Sequence, residues 1–274
     1  MSAIDSRALA DEIETARAVK RTIATPPSAR DGGLPLAVAY EVEAELARRR
    51  RAAGHAIVGR KIGFANKALW RVMGLDTVAW GSMYDDTVQH ATNNNASLSA
   101  GRMFAPKIEP EIVFKLAAPP PATSDPAAML GAVQWCALGF EIIDCCFADW
   151  KFQPADFVAA YGFHAGLVVG APMKIDAGSI PELVEALGKF KVQLSKDGEV
   201  VEEGSGRNVL RSPALALAEL ASAIAAQPSA EPLTAGELVS TGTLTTSRLI
   251  APGEHWTATV DGLDLPALAL EVTA

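Results

Sequence analysis

A chain of 274 residues, 49% hydrophobic and 20% charged, can bury a sizeable core, and it suits one large domain or a main domain with a small appendage. Its net charge of −8, from 24 basic and 32 acidic residues, gives no general attraction to nucleic acid or to anionic lipid. Three cysteines, two of them adjacent, do not form a disulfide framework, so a reducing, cytoplasmic setting is expected.

The N-terminal stretch carries charges throughout and reads neither as a secretory signal nor as a membrane span. Residues 2–24 have the pattern of an amphipathic helix. A second helix is expected over 35–53, with Pro35 at its start and Gly54 beyond its end. The basic run Arg48–Arg51 closes it, where positive charge suits the helix dipole. Together these make an N-terminal helical arm, 1–55, ahead of a β-rich core, 56–274.

The texture changes at "HAIVGRKIGF", which reads as a strand, followed by a short helix "NKALWRVMG" with Asn66 as its cap. Irregular chain and short strands lead to a strand over 107–116. A helix follows, capped by Ser124 or Asp125, and "WCALGFEIIDCCF" is expected to pass from a helix end into a strand. "GLVVGAP" is another strand. "KFKVQLSKDGEVVEEG" is the clearest hairpin, turning at Asp197-Gly198. "SPALALAELASAIAAQ" is a helix with Ser212 as cap and Pro213 in its first turn, and the remainder is strand-rich with Gly turns. Strands and helices do not alternate regularly, which excludes a doubly wound sheet, and the class is α+β. No GxGxxG, GxxxxGK[ST] or GxSxG motif is present.

Three features carry chemistry. In "PKIEPEIVF", Glu109 and Glu111 lie two apart on a strand, so both side chains point to one face. A solvated strand face can look like this. A shared divalent cation would also reconcile the two charges, since hard cations take oxygen ligands. The apolar "LGFEIIDCCF" adds buried acids that need partners. Alternation puts Glu141 and Asp144 on opposite faces, and by itself does not choose which joins the pair. Lys61, in the apolar strand "GRKIG", is either a snorkelling lysine or a buried cation that can contact developing negative charge.

The segments "VGRKIG", "PKIEPEIVF", "FEIIDCCFADW", "DFVAAYGFHAGLVVG" and "GELVSTGTL", in this order and spacing, resemble the 2-keto-4-pentenoate hydratase and 4-oxalocrotonate decarboxylase group of the fumarylacetoacetate hydrolase superfamily. The resemblance covers nearly the whole chain. It implies a mixed β-sandwich or β-roll core behind the helical arm. It implies Mg²⁺ or Mn²⁺ held by Glu109, Glu111 and Glu141, choosing Glu141 over Asp144. It implies Lys61 and Asp86 as catalytic residues, Asp86 matching an acid after "GSMYD". It also implies a small 2-keto or 2-hydroxydienoic acid substrate.

The leading expectation is a hydro-lyase that adds water to a 2-hydroxy-2,4-dienoate to give a 4-hydroxy-2-oxo acid. The alternatives are a metal-dependent 2-oxo-3-enedioate decarboxylase, an acylpyruvate-type C–C hydrolase, and a non-catalytic partner subunit. A decarboxylase substrate needs a further cation, for which Arg207, Arg211 and Arg248 are the candidates. Where the group has an acid and an amide, this chain has Ala160 and Tyr161, followed by Phe163 and His164. Tyr161, Phe163, His164 and Arg211 are therefore expected to line the substrate pocket, giving a more apolar wall that favours a bulkier substrate. A homo-oligomer, and an association of hydratase with decarboxylase, complete the expectation.

Overall fold

The computed structural model describes residues 4–274. The helical arm comprises α1 (Ser6–Ala18) and α2 (Leu36–Ala52). Asp5 caps α1 by accepting from the Arg7 and Ala8 N–H groups, and the expected extension of this helix to residue 24 stops at a 17–21 turn. The first two residues of that expected helix lie outside the described residues. Arg48 and Arg49 fold back on Glu45 one turn earlier, whereas Arg50 pairs with Asp86 and Arg51 with Glu231 of the core.

The next elements are β1 (Ile57–Gly63), α3 (Lys67–Met73), β2 (Ala79–Tyr84), β3 (Val88–His90), β4 (Asn95–Ser99) and β5 (Lys107–Leu116). Asn66 caps α3 as its residue type predicts, accepting from Ala68 N–H. Then come α4 (Pro126–Gly131), β6 (Val133–Ile143), α5 (Pro154–Ala159), β7 (His164–Val169) and β8 (Met173–Lys174). Asp125, not Ser124, caps α4. Trp135 and Cys136 already lie in β6, so the expected helical start of that segment is corrected: its β-branched and aromatic content carries the strand back to Val133.

The chain ends with α6 (Ile180–Leu187), β9 (Lys191–Lys196), β10 (Glu199–Ser205), α7 (Pro213–Ala225), β11 (Leu238–Ser240), β12 (Arg248–Leu249), β13 (His255–Asp261) and β14 (Leu268–Thr273). The β9–β10 hairpin turns through Asp197 and Gly198, both at positive φ. Ser212 precedes α7 without making a side-chain cap.

Two sheets result. The larger has the order β2-β1-β11-β5-β6-β7-β3, with β12 beside β5 and β8 beside β6, and the smaller has the order β10-β9-β13-β14-β4. One buried cluster contains Leu9, Ile13 and Leu46 of the arm together with Ile108, Phe114 and Phe140 of the large sheet and Leu194 and Trp256 of the small one. This is an α+β architecture in which the arm shares one core with the strands. All three cysteines are buried and unpaired. Among the described residues no helix is long and apolar enough to cross a membrane.

Candidate metal centre

The site is built by register. In the antiparallel β5–β6 pair, Glu109 stands directly opposite Glu141, and Glu111 opposite Gly139. Direct partners share a face, so Glu141 joins the E-x-E pair on one surface of the sheet. Ser240 of β11 stands opposite Val113, and Lys61 of β1 opposite Ser240, which carries the same face two strands further. Gly139 and Gly81, the partners of Glu111 and Lys61, add no side chain to this surface.

One ligand oxygen from each of Glu109, Glu111 and Glu141 lies within 4.8 Å of the others. Glu111 and Glu141 are fully buried. Burial, with repulsion between the carboxylates, pushes Glu109 and Glu111 up to about 8, and burial raises Glu141 as well. Glu111 Oε2 accepts from Ser240 Oγ at 2.6 Å and from Gly242 N–H at 2.8 Å, while its Oε1 is buried with no protein partner. Three converging carboxylates, one with an orphaned inward oxygen, are a donor set that fits a hard divalent cation.

Lys61 Nζ lies 3.0 Å from Glu141 Oε2, with both side chains buried. Burial opposes its charge, but Glu141, Glu109 and Glu111 outweigh burial and hold the ammonium above its ordinary pKa. Its stem is confined by backbone: a Cβ at Gly162 would come within 3.1 Å of Lys61 Cδ, and a Cβ at Gly81 within 2.8 Å of the Tyr161 carbonyl. The ammonium also sits 5.1 Å from the Phe157 ring centroid.

His164 lies against Glu141. Its Nδ1 is 3.2 Å from Glu141 Oε1 and its Nε2 is 2.9 Å from Thr87 Oγ1. Burial, then the charges of Lys61 and Arg17, lowers its pKa to about 3, so the ring is neutral. Thr87 Oγ1 accepts from Tyr84 N–H and donates to the Tyr84 carbonyl at 3.0 Å. His164 thus bridges the Thr87 hydroxyl and the Glu141 carboxyl through its two ring nitrogens.

Asp144 is excluded from the cluster by a different task. Its carboxylate accepts from the Phe104 and Ala105 N–H groups. Asp86 is also elsewhere: it is exposed, pairs with Arg50, and stands with Asp85 beside His55 on the turn after β2.

Tyr161, Phe163 and Arg211, expected along the pocket wall, have the following surroundings. Tyr161, Gly162 and Phe163 all have positive φ, between 56° and 60°, a left-handed run that turns their side chains away from simple strand alternation. Tyr161 points to the arm, donating to Glu14 Oε1 at 3.3 Å and packing edge-on against Tyr84. Phe163 is buried among Phe147, Trp150, Phe152 and Phe157. Arg211, at φ 74°, lines a separate groove of about 620 Å³ with Lys67, Pro120 and Glu219. Ser240, Gly242 and Thr87 were not singled out by residue type. The first two lie in "GELVSTGTL", which the resemblance had marked.

The fumarylacetoacetate (FAA) hydrolase C-terminal family profile matches residues 82–272. The chain is 31% identical over 262 residues to a 4-oxalocrotonate decarboxylase of Pseudomonas sp. strain CF600, covering 93% of each. It is 29% identical over 228 residues to a 2-hydroxyhexa-2,4-dienoate hydratase of Comamonas testosteroni, covering 82% of each. Among solved structures it is similar to 4-oxalocrotonate decarboxylase from Pseudomonas putida G7, complexed with magnesium and adipate, with a TM-score of 0.86 and 28% identity over 99% of this chain and all of the other. By the extent of the profile match and the identity to these relatives, the chain belongs to the fumarylacetoacetate hydrolase C-terminal family.

Proposed function

We propose that this protein is a divalent-metal-dependent lyase of short unsaturated 2-oxo acids. Its leading reaction is the addition of water to a 2-hydroxy-2,4-dienoate, giving a 4-hydroxy-2-oxo acid. The observation that carries this is the convergence of Glu109, Glu111 and Glu141 around one point, with the Lys61 ammonium 3.0 Å from Glu141. These three glutamates would hold Mg²⁺ or Mn²⁺, whose Lewis acidity, when bound, draws electron density from the substrate's 2-oxygen.

The chain's own residues supply the remainder. Glu111 is fixed by Ser240 and Gly242, and Glu141 by His164, so the carboxylates are oriented before a substrate arrives. Lys61, a buried cation beside them, contacts the charge that develops on the 2-oxygen and can hand it a proton. Asp86 is paired with Arg50, which leaves the proton role to Lys61. An intact carboxylate cluster with its lysine argues for a catalyst over a non-catalytic partner. Self-association and pairing with a second lyase belong to the same reading.

Decarboxylation of a 2-oxo-3-enedioate is the second reading. It uses the same electron sink and is favoured by the full-length likeness to a decarboxylase structure. The test is turnover of a 2-hydroxypenta-2,4-dienoate and of a 2-oxo-3-hexenedioate, each with Mg²⁺ and with EDTA. Metal-dependent hydration supports the first reading and metal-dependent loss of CO₂ the second. Metal-independent turnover, or none, overturns both.

A further inference from the structure

The face of β5 that carries Glu109 and Glu111 also carries two lysines, Lys107 and Lys115, and Lys107 is the nearer to the pair. Lys107 lies two positions before Glu109, so alternation sends its side chain to the same side. Its register partner on β6 is Ile143, two residues beyond Glu141. The residue is half-buried, and its ammonium sits 3.9 Å from the centroid of the Trp150 ring. Trp150 is fixed in turn, its indole N–H donating to the Ala105 carbonyl at 3.2 Å. Asp149 and Trp150 both have positive φ, so the loop that presents this ring holds a conformation costly for non-glycine residues.

Lys107 also opens onto a cavity of about 570 Å³ that it shares with Lys196, Arg248 and Trp256. The other two cations there are engaged: Lys196 pairs with Glu254, and Arg248 with Glu202. Among the described residues Lys107 has no carboxylate in an ion pair, although its charge reaches Glu109 and opposes the rise of that group's pKa. Arg207 and Arg211, the other cations considered for a second anionic group, are exposed, Arg211 in the separate groove against α7.

Two residues of strand separate the Lys107 and Glu109 Cα atoms by about 7 Å. The extended carbon backbone of a six-carbon acid spans about 6 Å. An acid of that length, held by its 2-oxo carboxylate end at the three glutamates and lying along β5, has the reach to span to Lys107.

Resting on the metal-site reading above, we propose that Lys107 is a specificity-determining residue that receives the distal carboxylate of a linear six-carbon 2-oxo dicarboxylate. The stem packs on Trp150 and the ammonium supplies the charge. A 2-oxo-enedioate, or a hydroxydienoate bearing a terminal carboxylate, has the required shape, whereas a five-carbon dienoate does not reach.

The test compares 2-oxohexanoate with 2-oxohexanedioate. Both are saturated, and they differ only in the distal carboxylate. Their binding to the Mn²⁺-loaded protein is measured by calorimetry, after a titration of Mn²⁺ alone. The wild type should prefer the dicarboxylate by at least about tenfold, the scale of one charge-assisted contact. Lys107→Met, which keeps an apolar stem against Trp150, should lose that preference while binding Mn²⁺ and 2-oxohexanoate as the wild type does. Lys107→Arg should keep most of it. In turnover, Lys107→Met should raise KM for the dicarboxylate with a much smaller change in kcat. Equal binding of the two acids by the wild type overturns the proposal, as does an undiminished preference in Lys107→Met. If Mn²⁺ alone does not bind, the metal reading fails and this one fails with it. Normal Mn²⁺ binding without discrimination sinks the Lys107 role alone.

Discussion

Replacing Glu111 by Gln separates the charge of the cluster from its shape. The amide keeps the volume, and its oxygen can accept from Ser240 Oγ and Gly242 N–H, as Glu111 Oε2 does at 2.6 and 2.8 Å. Its N–H groups then face Glu109 and Glu141 as donors, where wild type has a third carboxylate. Burial, together with the charge of Glu141, pushes Glu111 from 4.5 up to about 8. The folded metal-free chain thus keeps a proton that the unfolded chain releases. Its stability is highest below the ordinary carboxylate pKa and falls as pH rises through about 8. A shift of this size corresponds to about 5 kcal/mol when fully developed. Part of it is repulsion shared with Glu109 and Glu141, so one replacement should relieve about half, roughly 2–3 kcal/mol at pH 8.5 and little near pH 4.5. For a chain of this size that is a rise in Tm of about 5–10 °C. The assay is thermal and urea denaturation in EDTA across that pH range, repeated with Mn²⁺. The order should reverse with the cation, which stabilises the wild type and not the variant. A Glu111→Gln protein less stable than wild type in EDTA at pH 8.5 would refute the account of the cluster as mutually repelling carboxylates.

Lys61→Met should leave Mn²⁺ binding in place and lower kcat by about 10² or more, with a smaller effect on KM, in steady-state assays. His164→Ala removes the ring nitrogen that contacts Glu141 and leaves Thr87 without its ring partner. It should cost about 2–3 kcal/mol of stability and weaken Mn²⁺ about tenfold or more by titration, with His164→Asn recovering part of the loss. Tyr161→Asn places a residue type that tolerates positive φ at a position where φ is 60°, and removes contacts to Glu14, Tyr84 and Arg17 and none to the three glutamates. The ranking of substrates by tail size should be the same in this variant as in wild type, and a changed ranking in kcat/KM would return Tyr161 to the pocket.

The period-two rule reads Glu109 and Glu111 onto one face without a structure, because that inference needs only the strand they share. Choosing Glu141 over Asp144 needs the β5–β6 register and the end of β6 at Ile143, and neither is a local property of the chain. The resemblance supplied that choice. The contacts of Tyr161 and Phe163 were not legible, because three consecutive left-handed residues redirect side chains in a way residue type does not announce. Tyr161 in particular is held by Glu14, a contact 147 residues away in sequence. The surroundings of Arg211 were hidden for a similar reason, since it has a positive φ and lines the groove against α7. Lys107 was legible by the same alternation as the glutamates, yet its meaning depends on Trp150 and on the ion pairs that occupy its neighbours.

The direct pairing of Glu109 with Glu141 also makes this hairpin a test of its own alignment. A slip of β5 against β6 by one residue would turn one strand's acids to the opposite side, and a slip by two would set Glu109 against Gly139 or Ile143. In the native alignment like charges sit side by side, which by itself favours the slipped forms. The apolar pairs around them, such as Ile108 with Ile142 and Phe114 with Cys136, must therefore hold the strands in line. A cation that needs all three glutamates would bind only the correctly aligned pair. Divalent ions present during refolding should therefore act as proofreaders of strand register, raising the yield of native chains beyond their effect on the finished fold.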